Sequence, residues 1–136
     1  MTNCNRTFIR TLTIALFGLL LIAPSLTAAA AESTEHKWEA YTQDRYGVRY
    51  FYDKETLTHP TPTTVKVWRQ RVFPMAAQQQ EIINLDEIDC SAQKARTLET
   101  IVKYRDGRVE SFKKTTEWYS IYAETAENYF LINHCP

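Results

Sequence analysis

An uncharged apolar run, Leu12 to Ile22, sits near the start of the 136-residue chain, behind Arg6 and Arg10 and ahead of Pro24 and the small residues Ala28-Ala29-Ala30-Ala31. A positive start, a short apolar core and an A-x-A close make the pattern read by a signal peptidase. The core is shorter than the ~20 residues a spanning helix needs. Residues 1–31 are therefore expected to be a secretory signal cleaved at Ala30 or Ala31, and residues 32–136 a single domain. This feature constrains the rest most, because it fixes the compartment and the length of chain left to fold.

Cys4 precedes the apolar run, whereas a lipid-modified cysteine would follow it at the cleavage point. The expected product is exported, periplasmic or at the cell surface or secreted, with no lipid anchor. Cys90 and Cys135 remain. In an oxidising compartment an isolated pair reads as a disulfide. Closing the loop between them is worth roughly 4 kcal/mol on the chain-entropy account. No C-x-x-C and no zinc spacing is present.

The whole chain balances 16 basic against 16 acidic residues, and the signal removes Arg6 and Arg10. The mature domain is mildly acidic, which argues against nucleic acid as the main partner. No later apolar run is long enough to span a bilayer.

From His36 the pattern alternates as in strands. Trp38, Ala40 and Thr42 share a face against Lys37, Glu39 and Tyr41. Asp44-Arg45-Tyr46-Gly47 reads as a turn, followed by Val48 to Tyr52. Asp53 to Thr63 reads as a connection, since Pro60 and Pro62 argue against a regular strand. Thr64 to Phe73 is expected as a central strand with Val65 and Val67 opposite Lys66, Trp68, Gln70 and Val72. Glu81 to Cys90 follows, with Ile83 and Leu85 facing away from Ile82 and Ile88.

Arg96 to Arg105 is expected to carry Leu98, Val102 and Tyr104 on one face and Ile101 on the other. Asp106-Gly107 signals a two-residue hairpin, with Arg108 to Trp118 returning antiparallel. The period then becomes helical from Glu124 to His134, with Thr125 as N-cap and with Tyr122, Ala126, Tyr129, Phe130 and Asn133 near helical spacing. The fold class is α+β: an antiparallel meander of about six strands with one C-terminal helix packed on it. The disulfide would fasten that helix to a strand end.

No catalytic constellation emerges. His36, His59 and His134 fall in no triad or ligand spacing. The chain reads as no enzyme, with no cofactor and no metal. Glu81, Asp86, Glu87 and Asp89 read as a solvated face pairing with basic residues on the next strand. Lys103, Arg105, Arg108, Lys113 and Lys114 gather around the hairpin, either as an electropositive tip or as protection of an exposed edge. Trp38, Trp68 and Trp118 are assigned to the core, and Tyr46 and Tyr119, near turns, to partner contact.

The order Trp38, Tyr50-Phe51-Tyr52-Asp53, Val65-Lys66-Val67-Trp68, Glu87-Ile88-Asp89-Cys90, Arg96 through Tyr104, Asp106-Gly107, Trp118 and Cys135 resembles the surface-adhesin protein E family of small exported bacterial proteins. The resemblance implies an antiparallel sheet with a C-terminal helix tied to it through Cys90 and Cys135. It also implies a protein partner, of the kind represented by the host matrix and plasma proteins laminin and vitronectin, and a capacity to form a homodimer. A shared fold does not carry a binding surface with it.

Overall fold

The computed structural model describes residues 35–136. The expected signal and its cleavage at Ala30 or Ala31 lie outside the described residues. Eight strands and one helix follow in order: β1 (Trp38–Gln43), β2 (Arg49–Asp53), β3 (Thr58–Thr61), β4 (Thr64–Val72), β5 (Gln79–Asp89), β6 (Lys94–Tyr104), β7 (Val109–Phe112), β8 (Tyr119–Ser120) and α1 (Ala126–His134). The strands form one antiparallel sheet ordered β1-β2-β4-β5-β6-β7. β3 pairs with β4 beyond the stretch that β2 occupies, and β8 pairs with β6 beyond β7. The meander and its terminal helix agree with the alternation and period change in the sequence.

Two features around prolines and the edge differ from expectation. Thr58–Thr61 is a strand despite Pro60, because it pairs only with β4 and its register breaks between Thr58 and Thr61. Proline is tolerated at such an edge, where its missing N–H costs no ladder bond. The return from the Asp106-Gly107 turn is shorter than the expected Arg108–Trp118 strand. It pairs as β7 over four residues, and the chain touches β6 again at Thr116, whose N–H donates to the Thr97 carbonyl at 2.9 Å, before β8. Gly47 and Gly107 hold φ of +82° and +89°, the region a side chain disfavours. The second turn holds three residues and not the expected two: Tyr104 N–H donates to the Arg108 carbonyl and Gly107 N–H to the Tyr104 carbonyl, so Arg105, Asp106 and Gly107 make the loop, with Gly107 in the left-handed position.

Two bulges set which residues face the helix. In β1 the register slips between Ala40 and Thr42, and Tyr41 packs against the core. In β6, Leu85 opposes Glu99 while Asp86 opposes Thr97, so Leu98 is the extra residue. Below the bulge Ala95 and Thr97 share the face of Ile88 and Asp86; above it Thr100 and Val102 share the face of Asn84 and Ile82. The expected grouping of Leu98 with Val102 fails for this reason: a bulge shifts the alternation by one residue.

The core joins Tyr52, Val65, Val67, Ile88, Ala95, Ile121, Phe130 and Leu131. Phe130 and Leu131 supply the helix's buried contribution, each worth about 1.5–3 kcal/mol when fully removed from water. Tyr122, Tyr129 and Asn133, expected near the packed spacing, are exposed. Thr125 caps α1 as expected, its Oγ1 accepting from Asn128 N–H at 3.1 Å. Cys135 follows the helix and is bonded to Cys90 past the end of β5, with Cα atoms 5.7 Å apart.

The three tryptophans lie outside this core. Trp68 belongs to the face turned away from α1, level with Leu85 and Glu99. Trp38 packs at a tilt against the His36 ring, and Trp118 lies on the surface under the Arg96 guanidinium, 4.6 Å away. The face away from the helix is laced by Glu87–Arg96 and Glu81–Lys103 ion pairs between β5 and β6. Large amphipathic rings serve here as cover for a single-layer sheet and not as its interior.

Candidate functional site

Two places combine accessibility with unusual chemistry. One is a polar cleft where the N-terminal end of α1 leaves the sheet uncovered. The other is the outer edge formed by β7, β8 and the chain between them.

The cleft is built by the upper halves of β4, β5 and β6. Val65, Val67 and Arg69 alternate along one face of β4, so the same periodicity that buries two valines buries a guanidinium. Its Nη2 lies 2.7 Å from Asp86 Oδ2 and its Nε donates to the same oxygen at 2.8 Å. Thr97 Oγ1 donates to Asp86 Oδ1 at 2.6 Å, so both carboxylate oxygens are engaged. Burial opposes the charge on Arg69, but Asp86, Tyr41 and Glu127 outweigh it and raise its pKa.

Beyond this pair lies a cavity of about 120 Å³ whose lining includes Tyr41, Tyr50, Arg71, Asn84, Tyr119 and Glu127. Burial raises the phenol pKa of Tyr41 and Tyr119. Burial and then the Asp44 carboxylate push Tyr50 up to about 12; its hydroxyl donates to Asp44 Oδ2 at 3.1 Å. All three rings are thus neutral hydroxyl donors and acceptors near pH 7. Arg71, Tyr119 and Glu127 also line an outer groove of about 420 Å³ and so form the mouth between the two spaces.

The edge is exposed at every residue from 111 to 120. Val109, Phe112, Trp118 and Tyr119 are 61%, 50%, 38% and 40% exposed. Among the described residues no strand pairs with the outer side of β7 or β8. Tyr104 N–H donates to the Arg108 carbonyl at 2.9 Å. Antiparallel alternation therefore turns Glu110 and Phe112 backbone groups toward β6 and those of Val109 and Ser111 outward.

The structure disperses the basic cluster around the hairpin. Lys103 pairs with Glu81, and Arg108 pairs with Asp106 at 2.9 Å while lying over the Tyr104 ring. Arg105 donates to the carbonyls of Phe73, Pro74 and Ala77 and so clasps the β4–β5 loop. Lys113 reaches Glu99 only at 3.9 Å and is exposed with Lys114. Tyr46 lies in the β1–β2 turn and Tyr119 on β8, on opposite edges of the sheet. Glu81 and Glu87 pair with β6 as expected, but Asp86 is buried and Asp89 caps the following turn through Ser91 and Ala92 N–H groups.

Sequence reasoning missed Arg69, Arg71, Asn84, Thr97 and Glu127, and placed Asp86 on a solvated face when it is buried. One signal was present: Arg69 continues the Val65, Val67 parity, which places a charge on the buried face. Among the described residues, no group of three or more His, Cys, Asp or Glu side chains is placed to hold a metal ion. Among them, too, no helix is long and apolar enough to cross a membrane. No family model, curated protein or solved structure matches the chain.

Proposed function

We propose that this protein is an exported binding module that meets a protein partner along the β7–β8 edge and acts by contact, not by chemistry. The observation that carries this reading is the exposed edge itself. Val109, Phe112, Trp118 and Tyr119 project from a strand edge whose outer backbone groups have no partner strand among the described residues. Unpaired N–H and C=O groups supply affinity when an extended segment adds as a further strand, and pockets for alternate side chains supply selectivity. Exposed Lys113 and Lys114 favour a partner segment carrying acidic residues.

The resemblance to the surface-adhesin protein E family supports a host matrix or plasma protein as that partner. The Cys90–Cys135 bond supports folding in an oxidising compartment. The direct test is binding of the purified protein to immobilised laminin and vitronectin, together with protease shaving of intact cells. Saturable binding and cleavage on intact cells are expected. Full protection in intact cells would remove the host-contact reading and leave a periplasmic accessory domain.

A further inference from the structure

We propose that the cleft at the N-terminal end of α1 binds a free α-amino acid, its carboxylate held by Arg71, its ammonium by Glu127 and its side chain inside the inner cavity. This site adjoins the strand edge at Tyr119 but does not rest on the edge reading.

Arg71 is the cation available there. It is half-buried on β4, opposite Tyr50 on one side and Ile82 on the other, and makes no salt bridge among the described residues. Arg69 is already occupied by the two-point contact with Asp86. A planar guanidinium presents a fork that matches a carboxylate. Glu127 stands across the same mouth, and its one ion contact among the described residues is Arg69 at 3.9 Å. It has oxygen lone pairs free for an ammonium group.

Charge balance selects the ligand class. The cavity is lined by Arg69, Arg71, Asp86 and Glu127, two charges of each sign. A simple anion would unbalance a partly desolvated space beside two carboxylates, which is costly. A zwitterion satisfies Arg71 and Glu127 together and leaves the sum unchanged. Size selects further. The inner cavity, about 120 Å³, has room for a small side chain, and the outer groove for the ligand's charged end. The phenols of Tyr41, Tyr50 and Tyr119 offer hydrogen bonds to a polar one, while the Asn84 amide is engaged with Thr100 and steadies Arg71, whose Nη2 donates to it at 3.3 Å.

The test is titration of the purified chain with each standard amino acid, followed by thermal unfolding and by amide shifts in nitrogen-15 spectra. N-acetyl and methyl ester forms and acetate serve as comparisons. One or more amino acids with small side chains are expected to raise the unfolding temperature and to shift the amides of Arg71, Tyr119 and Glu127. Blocking either charged end is expected to weaken binding about tenfold or more, the worth of one charge-assisted hydrogen bond. Glu127→Gln, on the first turn of α1 and outside the Arg69–Asp86 contact, is expected to do the same with the fold intact; Arg71→Gln is the second variant. No binding at millimolar concentration, equal binding of acetate or of the blocked forms, or equal binding of tryptophan would each overturn the proposal.

Discussion

Arg69 and Asp86 are diagonal neighbours across β4 and β5, joined at 2.7 Å with side chains only 7% and 1% exposed. A charged pair thus continues the apolar row of Val65, Val67 and Ile88. The row is split by it into a dry half under Phe130 and Leu131 and a polar half that opens as the cleft. Phe130 lies on the boundary, its ring 5.6 Å from the Arg69 guanidinium.

Removing one partner of this pair strands the other charge in the interior. Arg69→Met or Asp86→Leu alone is expected to cost about 3–5 kcal/mol, while the double change costs much less, since well-packed apolar groups replace a buried pair at little loss. Urea unfolding of the four proteins forms the cycle. Additive costs in the double variant would show that the pair is not coupled.

The disulfide joins the C-terminal end of α1 to the end of β5 across 45 positions of sequence. Cys135→Ser is expected to lower stability by roughly 4 kcal/mol, mostly by freeing the unfolded chain. Strand pairing in the remaining native state should persist, because Val65, Val67, Ile88 and Ala95 still meet within the sheet. Hydrogen exchange checks this. Loss of protection throughout β4, β5 and β6 under native conditions would contradict it.

His134 packs against Phe130 and Tyr52, with ring centres 4.3 Å and 4.6 Å away. Burial lowers its pKa from the usual 6.5, against a smaller opposing effect of Glu39. Between that lowered value and 6.5 the unfolded chain binds more proton than the folded one, so stability rises with pH through this window and is flat above it. Denaturation midpoints measured from pH 5 to pH 8 should show this slope, and it should shrink in His134→Gln. An unchanged slope in the variant would assign the effect to another group.

Ser111 turns its N–H away from β6, so Ser111→Pro removes one outward donor and leaves the inward ladder intact. The variant is expected to keep its stability within about 1 kcal/mol and to lose partner binding along the edge, as seen by surface plasmon resonance on immobilised laminin or vitronectin. Lys113→Glu should weaken association most at low salt, where charge steering is strongest. Full binding by Ser111→Pro would move the contact surface away from this edge.

Thr125 donates its hydroxyl to the Tyr122 carbonyl and accepts from Asn128 N–H. Thr125→Ala is expected to cost about 1 kcal/mol by uncapping α1. Because the helix is only nine residues long, its first turn should fray, and the amides of Glu127 and Asn128 should exchange faster.

The alternating strands, the turns at Gly47 and Gly107, the Thr125 cap and the one pair of cysteines were legible in the sequence because each depends on local geometry. Alternation reports which residues share a face. Positive φ calls for glycine, and a hydroxyl caps the nearest free N–H groups. The strand count and the membership of the core needed the tertiary structure. Bulges at Tyr41 and Leu98 shift the parity of β1 and β6, and nothing in the alternation marks the extra residue. Trp38, Trp68 and Trp118 stay out of the core, the first two half-buried and the third exposed, because the helix covers one face of the sheet only, and Phe130 and Leu131 fill that face. The cleft was hidden for a related reason. Asp86 reads as a solvated charge, and Arg69 goes unassigned, until the β4–β5 register sets them beside each other, where each offsets the cost of burying the other.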